Sequence, residues 1–274
     1  MTAYRLHWKK QPPGLIDGSG LRPDRLCGLS IDELAKESIR YGRRRYDLGE
    51  LFDVESLPGE EEAALYIPGS ERFVGLGEGM VSGTLEIDGP AGEGVARGMT
   101  GGCVRVLGSA GNLAGAGMAG GVLVVEGDVG EMAGGPGPGE LRGMTGGELL
   151  VHGNAGGYAG SRQRSGLIAV RGRVGECPAY KMLAGTLLVC EGELAAAGFG
   201  MGRGTIIGLS AQPKVLPTFR RDGFVQPVVL RLLWRRLNAL GFPLPAGLDD
   251  ARFVSFSGDL LSLHRGELLL RHSG

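Results

Sequence analysis

Cysteine is sparse in this 274-residue chain. Its four residues, Cys27, Cys103, Cys177 and Cys190, never stand in C-x-x-C spacing. That scatter argues against a structural zinc, an iron–sulfur cluster or a disulfide framework, and for small buried thiols in a reducing compartment. Neither sign of charge is in excess: 29 basic residues face 30 acidic ones, for a net charge of −1. Nothing therefore implies nucleic acid or an anionic membrane as a partner. No apolar run reaches the roughly 20 residues of a membrane span. The opening MTAYRLHWKKQPPG also lacks the apolar core of a signal peptide. The expectation is a cytoplasmic protein.

What the chain has in quantity is glycine, 53 residues. Without a period such a content would suggest a low-complexity chain, but here the glycines recur. The pentapeptide GMTGG stands at 98–102 and again at 143–147. Aligning each M-x-x-G that precedes alternating aliphatic residues gives seven leads: Met80, Met99, Met118, Met144, Gln163, Met182 and Met201. Their spacings are 19, 19, 26, 19, 19 and 19, the long step carrying the seven-residue insertion GGPGPGE (134–140). Three positions after each lead stands a glycine: Gly83, Gly102, Gly121, Gly147, Gly166, Gly185 and Gly204. Five after it come Leu85, Val104, Leu123, Leu149, Ile168, Leu187 and Ile206. Seven after it come Ile87, Val106, Val125, Val151, Val170 and Val189. A spacing of two is the strand period, and glycine brackets mark sharp corners.

A single repeat cannot bury its inner face, so neighbours must stack in register. Leu65, Ile67 and Gly69, 20 residues before Leu85, Ile87 and Gly89, indicate an earlier unit. The pattern lacks the leucine-rich framework, the aspartates of calcium-binding nonapeptides and a six-residue period. The expected class is all-β: a right-handed parallel β-helix, a solenoid of about 19-residue coils with small α/β flanking segments. Residues 1–60 read as an N-terminal cap with one helix, opened by the capping box Ser30/Glu33 and closed by Gly42. Residues 61–210 read as the repeat domain. Residues 211–274 read as a C-terminal extension, with a helix from Pro227 to Gly241 striped by Val229, Leu232, Leu233, Leu237 and Leu240. A β-hairpin turning at HRGE follows it.

Chemistry is hard to find in this pattern. GAGMAG (115–120) matches a dinucleotide fingerprint but leads into a strand instead of opening a helix, and GFGMGRG (198–204) lacks the G-K-[ST] of a P-loop. The methionine column reads as filling between repeats and not as a soft-metal surface. His7, His152, His264 and His272 have no i, i+4 partner. Glu126, Asp128 and Glu131 have no evident acid–base partner. One cluster could bind an anion or an acidic partner surface: Arg162, Arg164, Arg171 and Arg173, around Ile168 and Val170. No catalytic, cofactor-binding or metal-ligating residue is assigned.

The stretch GMTGGCVRVLGSAGNLAGAGMAGGVLVVEGDVG, with RPDRLCGLSIDEL, YDLGELFDV, GELRGMTGG and the terminal FSGDL and GEL, resembles the C subunit of formylmethanofuran dehydrogenase. The same family holds the C subunit of the bacterial formyltransferase/hydrolase complex. The glycine repeat alone is also similar to a domain of the glutamate synthase large chain. The resemblance spans nearly the whole chain and implies a noncatalytic scaffold in one-carbon metabolism. It implies sibling subunits similar to an amidohydrolase, a formyltransferase and a molybdopterin enzyme, which would carry the metals, the methanofuran-type carrier and tetrahydromethanopterin. The bacterial complex would convert formyl-tetrahydromethanopterin, through a formylmethanofuran-type intermediate, to formate. The archaeal one would be a tungsten or molybdenum dehydrogenase. Arginine far exceeds lysine here, 24 to five, a composition of GC-rich bacterial genomes that favours the first. A β-helix acting on a polymer would need paired carboxylates on neighbouring coils, and no convincing pair is present. Gln163 in place of methionine and Glu191 in place of a corner glycine depart from the repeat.

Overall fold

The computed structural model describes residues 3–57, 62–209 and 214–272. The boundaries expected at 60–61 and 210–211 lie outside them. Thr84–Ala91, Cys103–Val106, Ala119–Val125, Gly146–Val151, Leu167–Val170, Thr186–Val189 and Arg203–Gly208 are the repeat strands. Each pairs in parallel with the next, and the register joins Leu85 to Val104, Leu123, Leu149, Ile168, Leu187 and Ile206 in one column. Ala64–Ser70 precedes them, with Leu65 beside Leu85 and Ile67 beside Ile87. The inner column is sealed from solvent from Leu65 through Ile206. The stacking read from the period of 19 is the stacking observed.

The class read from it is not. Thirteen strands form one continuous, mostly parallel sheet, where a β-helix distributes its strands among several walls. The second extended piece of each repeat supplies only single bridges, Ala91 to Ala110, Ala110 to Val129, Val129 to Ala155 and Ala155 to Val174. That piece is cut short because the chain turns left-handed directly after it, at Gly94, Leu113 and Met132. The flanks extend the same sheet instead of lying over its ends as lids. Ala3–Trp8 pairs in parallel with Ala64–Ser70, and Phe52–Leu57 runs antiparallel at that edge. Arg265–Arg271 pairs in parallel with Arg203–Gly208, followed by antiparallel Phe253–Gly258 and Arg220–Val225. With helices at Pro23–Leu26, Ile31–Ala35, Leu48–Leu51 and Leu230–Ala239, the chain is an α/β-type mixed sheet, and the all-β solenoid expectation is corrected. The N-terminal region also holds three short helices where one was expected. The Ser30/Glu33 box does form, but Ser38–Tyr41 leaves the helix to pair with Ile16–Asp17 and Arg44–Asp47. These, with Phe73–Val74, make a separate four-stranded sheet.

The methionine and glycine columns are two halves of one packing device. Met80, Met99, Met118, Met144, Met182 and Met201 are fully buried. A Cβ on Gly102 would stand 2.6 Å from the tip of Met80 and 2.6 Å from the Gly83 carbonyl, and one on Gly121 would stand 2.5 Å from the tip of Met99. Met80, Met99, Met118 and Met182 thus fill the place where the next repeat lacks a side chain. At the departure from the pattern, the Gln163 amide lies 2.7 Å from the corresponding point on Gly185 and donates to the Gly166 carbonyl at 2.9 Å. Gly102 also holds φ at +82°. Gly102→Ala is expected to cost about 2 kcal/mol or more, from left-handed strain plus overpacking, read as a lower urea midpoint.

Candidate partner-docking surface

The sheet's outer face is divided. Along the column one position from the core, the residues run Glu86, Arg105, Val124, Leu150, Ala169, Leu188 and Ile207, passing from charged to apolar. The apolar end is covered by the chain itself. Leu230, Trp234 and Leu237 of the C-terminal helix bury against Leu150, Leu188 and Ile207. Arg236 clamps that helix to Glu148 with a fork at 2.6 and 2.7 Å, which pushes the guanidinium pKa up. The stripe expected to face inward is therefore rotated: Val229 and Leu232 are exposed, and Trp234 takes the contact instead.

On the uncovered end, Glu126 binds Arg105 at 2.6 Å and His152 Nδ1 at 2.8 Å. Glu126 thus has partners that the sequence does not reveal. The pair is nevertheless poorly placed for proton transfer to a substrate. His152 Nε2 is shut off from solvent with no partner, and its ring meets Phe242 edge-on at 5.6 Å. Asp128 accepts from the Asn154 backbone N–H at 2.6 Å, and Asn112 accepts from the Glu131 N–H at 2.8 Å, so these polar residues brace corners. Among the described residues no group of three or more histidines, cysteines or carboxylates is placed to hold a metal ion. Burial pushes the Cys27 thiol up to about 11 and the Cys190 thiol up to about 12, so both stay protonated and unreactive near neutrality.

The insertion at 134–140 borders an apolar groove on the surface. Pro136, Pro138 and Leu141 form one wall of a groove of about 690 Å³, and Leu113, Met132, Tyr158 and Tyr180 line the rest. Tyr158 meets Tyr180 edge-on at 5.8 Å, and Tyr180 stacks on Phe199 at 6.0 Å. Leu141 is 77% exposed, Phe199 46% and Tyr158 41%. Leu113, Met132 and Tyr158 share one repeat position, 14 after their leads, and all three hold positive φ. The first repeat has Gly94 there. Non-glycine residues in this conformation cost roughly 1–2 kcal/mol each, and such strain concentrates at functional surfaces. These repeats carry apolar side chains on the groove where glycine would relax the backbone.

The four arginines do not form one strip. Arg162 lines this groove, whereas Arg173 lines a different hollow of about 550 Å³ with Glu176 and Glu193. Arg164 and Arg171 flank the strand Leu167–Val170 and are exposed. The glycines Gly83, Gly102, Gly121, Gly147, Gly166, Gly185 and Gly204 all stand at the entry to their strands with positive φ. The insertion loop itself is legible in the sequence as an interruption of the period. The apolar character of its opposite wall is not, because position 14 is occupied by a different residue in every repeat.

Among the described residues Asp259 is a deeply buried carboxylate that the repeat does not explain. It receives N–H bonds from Gly200 at 2.9 Å and Leu261 at 3.0 Å, tying the turn after Phe253–Gly258 to the last repeat. Burial opposes its ionisation most, but those two donors, the Thr218 hydroxyl and the nearby His264 outweigh it and hold the carboxyl below its usual range.

No family model matches the chain. The C subunit of the molybdenum-containing formylmethanofuran dehydrogenase 1 of Methanosarcina barkeri is 34% identical over 80 residues, 28% of this chain and 27% of that protein. The match thus spans about a quarter of the curated relative. A chain in the X-ray crystal structure of the formyltransferase/hydrolase complex (FhcABCD) from Methylorubrum extorquens in complex with methylofuran is 34% identical. It superposes with a TM-score of 0.86, covering 98% of this chain and 100% of that one.

Because the folded pKa of Asp259 is depressed, its stabilisation is present above the unfolded carboxylate value, near pH 4, and is lost as pH falls through the folded value. The melting temperature of Asp259→Asn should lie below that of the unaltered chain at pH 7, and the gap should close as melts are repeated toward pH 3.

Proposed function

This chain belongs to the family of C subunits of formylmethanofuran dehydrogenases and formyltransferase/hydrolase complexes, and on that premise we propose that it is the scaffold subunit of a formyltransferase/hydrolase complex. The complex takes formyl groups from formyl-tetrahydromethanopterin, through a formylmethanofuran-type carrier, to formate in the cytoplasm. The observation that carries the reading is the end-to-end likeness, 34% identical over 98% of the chain, to a component of such a complex bound to methylofuran. The physical character of the chain agrees with a noncatalytic role. Its interior is filled by packed aliphatic and methionine side chains, its buried thiols are protonated, and the His152–Glu126 pair keeps its free ring nitrogen shut off from solvent.

In this reading the hydrophobic stack supplies a rigid wall, and the chemistry belongs to sibling subunits of amidohydrolase-like, formyltransferase-like and molybdopterin-enzyme-like kinds. The carrier, the pterin and any metals are held there. The groove of Leu113, Met132, Tyr158 and Tyr180 is a contact surface for one of those siblings. A second reading, the C subunit of a molybdenum formylmethanofuran dehydrogenase, draws on the 80-residue match to the Methanosarcina protein.

Affinity purification of the tagged chain from its native host tests the first reading. Recovery of companion chains, with formate released by the assembly and none by the chain alone, is the expected result. Recovery of the chain by itself, or formate release by the isolated chain, overturns it. Tyr158→Gly sharpens the test. Relief of about 1 kcal/mol of backbone strain offsets loss of the Tyr180 contact, so stability should change by less than about 1 kcal/mol in urea denaturation. Companion recovery should fall.

A further inference from the structure

The N-terminal hairpin carries a charge arrangement that the fold does not need. Ser38–Tyr41 and Arg44–Asp47 pair antiparallel, with Arg40 directly opposite Arg45. On one face Ile39 is buried, and Tyr41 and Tyr46 pack against the core with their rings 5.9 Å apart. Alternation puts Arg40 and Arg45 together on the other face, and both are exposed. Like charges opposed across a strand pair weaken it, and an uncharged polar residue at either place would remove the penalty. Arg43 and Arg44 extend the run, so RYGRRRYD holds four exposed arginines in six positions, 40 to 45.

The acids nearby are already engaged. Asp17 lies 3.6 Å from Arg40, and Glu37 is bound by Arg25 at 2.7 Å. Among the described residues Arg43, Arg44 and Arg45 make no ion pair or side-chain hydrogen bond. A hollow of about 250 Å³ opens beside them, with Arg25, Arg40 and Arg45 among its lining residues. Arg44–Asp47 is also the terminal strand of the four-stranded sheet, so one side of its backbone is unpaired.

We propose that this hairpin receives an extended acidic segment of a partner protein, which adds as a strand along Arg44–Asp47 and sets its carboxylates on Arg43, Arg44 and Arg45. The inference rests on the reading of the chain as a subunit of a complex. An edge strand offers main-chain hydrogen bonds to any extended peptide, and the guanidinium groups select one rich in carboxylates. Arg44 and Arg45 project to opposite faces of the strand. An added strand with acids at successive positions therefore meets one arginine on each side, and the Arg40/Arg45 repulsion is relieved on binding.

The probe is a fluorescent octaglutamate peptide, with octaglutamine as control, measured by anisotropy on the purified chain at about 50 mM salt, where screening is modest. Octaglutamate should bind the unaltered chain, and should bind R43E/R44E/R45E at least ~tenfold more weakly. The variant R43K/R44K/R45K should retain most of the affinity. Equal binding by the glutamate variant, or equal binding of octaglutamine, overturns the proposal. The melting temperature of each variant establishes that it is folded. In the purified complex, R44K offers an amine for zero-length carbodiimide coupling, and a cross-link from the introduced amine to an acidic stretch of a companion is expected. A complex that assembles with that amine coupled to no companion carboxylate ends the docking proposal and leaves the subunit assignment standing. A chain that purifies without companions removes that assignment.

Discussion

Everything in this structure depends on how one repeat seats on the next. The methionine that opens a repeat points into the space that a Cβ would occupy in its successor, and the glycine there, held at positive φ, leaves room for it. This contact and the aliphatic ladder beside it lock the same offset: where Met80 meets Gly102, Leu85 lies beside Val104. A slip of one residue would turn the aliphatic set outward and drive the methionines into backbone. The two columns are therefore a single constraint expressed in two residue types. Gln163 obeys it with an amide in place of a thioether, replacing dispersion contacts by a hydrogen bond to Gly166.

That constraint fixes the inside and leaves the outside to vary. The outer column from Glu86 to Ile207 shows what variation permits: charge at one end, and apolar residues at the other where the chain returns to cover itself with Leu230, Trp234 and Leu237. The corners show the same freedom. Position 14 of the repeat carries Leu113, Met132 or Tyr158 despite a backbone that glycine would suit better. A wall built in this way suits a protein whose task is to hold others, because each surface position can be set without disturbing the stack.

Much of this is legible in the sequence, because period and register depend on local spacing. The columns through Leu85 and Ile87, and the earlier unit at Leu65 and Ile67, are in place as read. The class is not legible, because a regular period does not say how many residues of each corner stay extended. Single bridges at Ala110, Val129 and Ala155 do not make a second sheet. The C-terminal helix is present but rotated, since a stripe of leucines in the sequence outweighs Trp234, whose large side chain claims the contact in the fold. Glu126 and His152 are 26 positions apart, and only the long step of the repeat brings them together. RYGRRRYD gives no signal on its own, because a run of arginines reads as a solvated face until its strand partners are known. The guanidinium groups from Arg162 to Arg173 are close in sequence around one strand, yet Arg162 and Arg173 line different hollows.

The two ends of the large sheet depart from its middle. At each, the parallel order is broken by an antiparallel strand: Phe52–Leu57 forms one edge, and Phe253–Gly258 lies just inside the other, where Arg220–Val225 is outermost and runs with the repeat strands again. The two outermost strands carry charged side chains: Asp53 and Glu55 at one, Arg220, Arg221 and Asp222 at the other. A second copy arriving tip to tip would find ionised groups at both ends, and reversed polarity at the Phe52–Leu57 edge, where it needed a matching rung. Such edges oppose open-ended fibre growth, the standing hazard of any stack of identical layers. The molecule can be crowded from its flanks and still remain a unit of finite length.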